Sequence, residues 1–362
     1  MRRALAVAGA LLTLAAVAAG GLWVWREQQL RAFIATPSGG PEPRDVTVPA
    51  GSGPHAVAGL LARAGVVSDA ELFYRFLRRT ELGPRLRAGE YEFVGPLTPP
   101  QVADKLVSGQ QKTYRVTLAE GLRVDEALPL LARSELHLDE AKLLALAGDP
   151  AWVRRQGLPA DRLEGFLFPD TYVFTRPFGP ESVLARLVAR GLEEARKAEA
   201  RRAPGNTLDL LQLVTLASIV EKETGAPEER PRIACVVYNR LARGMKLQMD
   251  PTVLYAMMLL RGRFVKNITA QDLVTPHPYN TYTQGGLPPG PIASPGAAAL
   301  QAASAPAACD DLYFVSRNDG THVFCPTLLC HNAAVKKWQQ DYWAAKRSAS
   351  HPPDPREGPH GR

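Results

Sequence analysis

Only four cysteines occur in the 362 residues, and no two of them have CxxC spacing. A zinc centre or a CxxC redox site is therefore not expected, and no metal is assigned. No helical stretch is arginine-rich, and no array of basic and aromatic residues runs along the chain. That removes the usual nucleic-acid-binding surfaces. The net charge of +7 is scattered among acids, a pattern that suits solubility and the neighbourhood of an anionic membrane. The C-terminal residues 347–362, RSASHPPDPREGPHGR, lack apolar periodicity and are expected to be disordered.

Charge is also missing from Ala4 to Trp25, ALAVAGALLTLAAVAAGGLWVW, which follows Arg2 and Arg3. A run of roughly 20 apolar residues spans a bilayer as a helix. The two arginines hold residues 1–3 in the cytoplasm, and Trp23 and Trp25 suit the far interface. Small residues near Ala19 offer a signal-peptide reading, but the run exceeds the usual core of about 7–15 residues, which favours an uncleaved anchor. In either case the rest of the chain is exported. Residues 26–45, ending TPSGGPEPRD, read as a spacer.

Outside the cytoplasm a disulfide is plausible. Cys235, in IACVVYN, reads as a buried thiol. A hairpin of DLYFVS and THVF about Asp319 sets Cys309 near residue 329. This favours a Cys309–Cys330 bridge over one to Cys325.

A repeat organises the next part. VTVPAGSGPHAVAGLLAR at 46–63 aligns without a gap with VTLAEGLRVDEALPLLAR at 116–133. Each copy reads as strand, glycine turn and amphipathic helix. LFYRFLRR and GEYEF complete a small βααβ arrangement over 46–113. From 114 to 346 the sequence is mainly helical, interrupted by LEGFLFPDTYVF at 163–174, a Pro/Gly-rich loop and a hairpin at 311–324. The fold class expected is α+β.

LQLVTLASIVEKETG, residues 211–225, carries two acids at the end of an apolar helix. Residues two apart lie about 200° apart around a helix axis, so Glu221 and Glu223 cannot share a cleft. Partial burial and the negative helix end both raise the pKa of a carboxyl here, as a general acid requires. The bland alternative is an ordinary helix end paired with Lys222, Arg230 and Arg232. The loop PYNTYTQGGLPPGPIASPG, nearly free of charge and carrying two tyrosines, suits the ring faces and hydroxyls of sugars.

LASIVEKETG, YNRLARGMKLQMDPTVLYA, the tyrosine-bearing loop and the hairpin, in this order, resemble the endolytic murein transglycosylase (YceG-like) family from about Leu163 to Lys346. Residues 46–113 resemble the LysM-like subdomain that precedes this catalytic domain. The resemblance implies a membrane-anchored enzyme on the extracytoplasmic side of the inner (cytoplasmic) membrane. It would cut peptidoglycan glycan strands after N-acetylmuramic acid and leave 1,6-anhydro ends. No cofactor is implied. Peptidoglycan synthases or divisome proteins are the protein partners implied. Carried over by motif, Glu223 is the catalytic acid and base, and Glu221 a structural partner of an arginine. Glu164, Asp250, Tyr279, Asn280, Thr281 and Tyr282 would line the cleft. Ser294 departs from the family pattern, which has asparagine there. A non-catalytic glycan-binding or divisome scaffold and a hydrolytic muramidase are the rival readings.

Overall fold

A computed structural model describes residues 2–344 and 346, so the tail from 347 onward lies outside the described residues. The chain forms two compact units: one takes the residues up to Tyr114 with Val173–Phe178, the other Arg115–Tyr172 and Gly179 onward. Among the described residues, helices and three separate two-stranded sheets give an α+β arrangement.

In the first unit, α1 (Arg2–Ala35) is followed by β1 (Arg44–Val48), α2 (Pro54–Arg63), α3 (Ala70–Arg79), β2 (Gly89–Phe93) and α4 (Pro99–Ser108). Gly9–Ala35 is long and apolar enough to cross a membrane. Leu11, Leu12, Leu14, Val17, Trp23 and Trp25 are all exposed, which fits lipid rather than water. Further along the same helix, Leu30 and Phe33 are buried in the core of this unit. The spacer expected from residue 26 is thus helical to Ala35, and its apolar face packs instead of linking. The reason lies in EQQLRAFIA, where Leu30, Phe33 and Ile34 recur at helical spacing inside a polar stretch.

The βααβ order is as expected. β1 and β2 pair antiparallel, Val46 opposite Tyr91 and Val48 opposite Gly89, and their inward residues share the core with Val57, Leu61, Phe73 and Leu77. The second copy of the repeat gives β3 (Tyr114–Thr117) and α5 (Val124–Arg133), the latter starting and stopping in step with α2. β3 pairs with β4 (Thr171–Phe174), and the chain passes from one unit to the other at these strands.

The second unit adds α6 (Glu140–Ala147), α7 (Pro150–Arg155), α8 (Pro180–Ala200), α9 (Leu210–Glu223), α10 (Arg230–Ala242), α11 (Asp250–Arg261), α12 (Ala270–Val274) and α13 (Ala297–Ser304). β5 (Tyr313–Ser316), β6 (His322–Cys325) and α14 (Leu328–Val335) follow. α9 is the central element. Every residue from Leu213 to Val220 is buried, and α8, α10, α11 and α13 pack around it. Its start is fixed by Asp209, whose carboxylate accepts from Gln212 N at 2.8 Å. It stops at Glu223 because Thr224 turns extended, with its hydroxyl accepting from Ala226 N at 2.9 Å.

The cysteines pair as Cys235–Cys309 and Cys325–Cys330. Neither the free Cys235 nor the Cys309–Cys330 bridge expected from the sequence is present. The hairpin register is as counted, with Tyr313 opposite Cys325, but pairing ends there. The chain before Tyr313 turns to α10 instead, where Asn239 Nδ2 donates to the carbonyls of Cys309 and Asp311, each at 3.0 Å. Removing a bridge that spans 74 residues is expected to destabilise by about 4 kcal/mol on the chain-entropy account. The five-residue bridge should contribute about half of that. Urea unfolding of Cys235→Ser/Cys309→Ser against Cys325→Ser/Cys330→Ser measures the difference.

Candidate active site

The two acids at the end of α9 face different surroundings, as helix geometry requires. Glu221 is fully engaged: Oε1 accepts from Arg230 Nη2 at 3.0 Å and Oε2 from Gly296 N at 2.9 Å. It therefore clasps α10 and the loop before α13 onto α9. Lys222 Nζ donates to Gly121 O at 3.1 Å, tying the same helix end to the turn before α5. Residue 294 pairs with that turn through backbone alone: its N donates to Leu122 O and its O accepts from Gly121 N. A serine supplies those groups as well as an asparagine does, so the departure at Ser294 leaves this pairing intact.

Glu223 is different. Its Oε1 is shielded from solvent and has no hydrogen-bond partner among the described residues. Burial first, and then the charge of Asp250, push this carboxyl up to about 8 against the opposing charge of Arg240. Burial and a neighbouring acid are thus the causes, where the sequence had pointed to burial and the helix end. Asp250 opens α11 and accepts from Tyr282 Oη at 2.6 Å. Arg240 is buried in α10 and held by carbonyls, Nε donating to Leu312 O at 2.7 Å and Nη1 to Leu247 O. Glu223, Asp250, Tyr282 and Arg240 therefore form one electrostatic cluster. Arg240 escaped the sequence reading, although a cation in the apolar run of α10 was its signal.

Glu164 and Tyr279 belong to a second cluster. Glu164 is buried in the loop before β4, with Oε1 accepting from Val124 N at 3.2 Å and Oε2 from Tyr255 Oη at 3.1 Å. Burial lifts its carboxyl to about 7 against those two donors. The Tyr255 and Tyr279 rings pack with centroids 4.9 Å apart. Tyr255 was missed as a site residue, though it lies within the quoted MDPTVLYA. Two open clefts of about 740 and 660 Å³ share Glu164, Arg162 and Leu259 in their walls, and neither is lined by Glu223.

Asn280 and Thr281 do not line a cleft. Both are buried, at 0% and 1% exposure. Asn280 Nδ2 donates to Asp272 O and Thr275 O, and its Oδ1 accepts from Tyr282 N. Thr281 Oγ1 accepts from Met249 N at 2.9 Å. Their polarity shapes the loop that presents Tyr279 and Tyr282.

Gly165 brings the Glu164 segment against the Pro/Gly-rich loop. Its φ is +85°, and an added Cβ would lie 2.4 Å from Cβ of Pro291. The proline ring is rigid and the positive φ disfavours a side chain, so Gly165→Ala is expected to destabilise by about 2–3 kcal/mol. Thermal unfolding would register this as a drop of several degrees.

Residues 46–337 match the model of the YceG-like family. The chain is 30% identical over 312 residues to the endolytic murein transglycosylase of Bacillus subtilis (strain 168), covering 81% of this chain and 84% of that one. It is 27% identical over 336 residues to the endolytic murein transglycosylase of Streptococcus pneumoniae serotype 2 (strain D39 / NCTC 7466). That match takes in 84% of this chain but only 60% of the pneumococcal protein. The crystal structure of a yceG-like protein from Listeria monocytogenes is similar with a TM-score of 0.54 at 29% identity, covering 81% of this chain and 98% of that one. By sequence and by fold, the chain belongs to the YceG-like family.

Proposed function

We propose that the protein is a membrane-anchored lytic transglycosylase that cuts peptidoglycan glycan strands endolytically, with Glu223 as acid and then base. The observation that carries this reading is the shielded, unpartnered Glu223 Oε1, with the carboxyl raised to about 8. A carboxyl that holds its proton at neutral pH and has one oxygen without a partner among the described residues is free to deliver that proton to a substrate. The names of the Bacillus and Streptococcus relatives support the substrate class.

On this reading Glu223 protonates the oxygen that links C1 of N-acetylmuramic acid to the next N-acetylglucosamine. The C1–O bond breaks as the C6 hydroxyl of the same muramic acid attacks C1. The hydroxyl proton passes to the Glu223 carboxylate, and a 1,6-anhydro ring results. No water is consumed, so one carboxyl serves where hydrolysis uses two. The anchor sets this chemistry beside the cytoplasmic membrane on its extracytoplasmic face, where two disulfides are stable. On this reading the βααβ part of the first unit is a LysM-like subdomain. Peptidoglycan synthases or divisome proteins would be neighbours there.

The test uses the full chain in detergent, because Leu30 and Phe33 of α1 belong to the folded core. Purified peptidoglycan is digested with wild type and with Glu223→Gln, and the product ends are read by mass spectrometry. Anhydro ends that vanish in the variant support the proposal. Reducing ends would assign a muramidase, and no products from either protein would assign a binding scaffold.

A further inference from the structure

α9 and α11 run side by side in opposite directions. Glu223 at the end of α9 feels the charge of Asp250 at the start of α11. At the other ends of the two helices, Leu211 and Leu259 line the same cleft of about 740 Å³. From residue 211 to residue 223 the helix advances about 18 Å, and from 250 to 259 about 14 Å. Glu164 and Tyr255 sit between these extremes, since Tyr255 occupies the middle of α11. The Leu211 and Leu259 end of the larger cleft is therefore well separated from Glu223, and Glu164, which lines both clefts, stands beside the middle of α11.

The walls of that cleft say what fits. Tyr279, Pro289 and Pro291 give rigid flat faces, and Leu211 and Leu259 give apolar sides. Prolines have no backbone N–H, so the loop wall cannot extend a peptide by strand addition. Flat apolar faces beside the buried Glu164, with Arg154, Asp161 and Arg162 as further polar groups in the walls, suit pyranose rings bearing hydroxyl and acetamide groups. Glu164 accepts one hydrogen bond on each oxygen, and a carboxylate can accept about four in all.

We infer that the clefts meeting at Glu164 form a distal binding groove for a strand of N-acetylated amino sugars, with Glu164 holding a ring remote from the cut. The inference rests on the proposed function and extends its substrate site to a second stretch of the molecule. In this groove Glu164 binds and positions the strand, while the bond broken lies at Glu223.

Binding is measured by calorimetry on the full chain carrying Glu223→Gln, so that no strand is cut. The probe is the β-1,4-linked tetramer of N-acetylglucosamine. Adding Ala160→Trp, which fills the cleft, or Leu259→Asp, at a partly exposed helix end, is expected to weaken binding about tenfold or more. On intact strands, with Glu223 present, the same substitutions should raise KM by a similar factor and leave kcat close to wild type. Glu164→Gln should weaken binding in the same assay. A tetramer that binds all variants equally, or does not bind the parent, overturns the inference. If Ala160→Trp fails to fold, Leu259→Asp and Glu164→Gln decide the matter. Should Glu223→Gln prove active in the digestion, the assigned acid falls, while tetramer binding still reports on the groove by itself.

Discussion

Glu223→Gln is expected to lower kcat for strand cleavage by about 10³-fold or more, because in the proposed mechanism one carboxyl makes both proton transfers and general acid–base catalysis is worth about 10²–10⁴. The same substitution should not cost stability. The fold holds the Glu223 carboxyl at about 8, above the value of about 4.5 it would have when unfolded. The protonated form is thus favoured by folding. Its contribution is complete below about 4.5 and is lost as the pH rises towards about 8. Glutamine has no such dependence. The melting temperature of Glu223→Gln relative to wild type should therefore rise across that interval. A variant that is inactive and also less stable at alkaline pH would mean that Glu223 was a structural group, and the catalytic assignment would fail.

The second large effect is on the pH profile. A general acid acts in its protonated form, so kcat/KM should hold at neutral pH and fall on a basic limb near 8. Part of that elevation comes from Asp250, whose negative charge opposes ionisation of Glu223. Asp250→Asn removes the charge and keeps an oxygen for the Tyr282 hydroxyl. The basic limb should then move towards acid by about one pH unit, the lower end of what one close charge does. Arg240→Met would push the limb the other way, but it also removes donors to Leu312 O and Leu247 O. Asp250→Asn is the cleaner variant, and an unmoved limb would show that Asp250 does not set the proton affinity of the acid.

Much of this site was legible before any coordinates. The apolar run of α9 and its two acids, the step of the repeat from α2 to α5 and the hairpin of β5 and β6 are local patterns. They follow from periodicity of 3.6 or 2 residues and from turn chemistry. Glu221 and Glu223 were separated by helix geometry alone. Other features were not local. Cys235 and Cys309 meet because the segment before β5 leaves the hairpin and is caught by Asn239 of α10. Counting across a ladder cannot find a partner beyond the last rung. Asn280 and Thr281 looked like sugar contacts because polar residues in a loop usually face solvent. Here their groups satisfy buried backbone atoms, which must be paired somewhere.

Periodicity and motif order decided that a helix would carry Glu223 to its end and that a rigid tyrosine-bearing loop would follow, because both depend only on near neighbours in the chain. Packing decided the rest. The proton affinity of Glu223 is set first by its burial, then raised by Asp250 and lowered by Arg240, which α11 and α10 bring to it. The opposed directions of α9 and α11 put the Leu211 and Leu259 end of the larger cleft away from that acid, with Glu164 in the cleft wall. Charge interactions and burial are set by distances in space, and those exist only once the helices are packed.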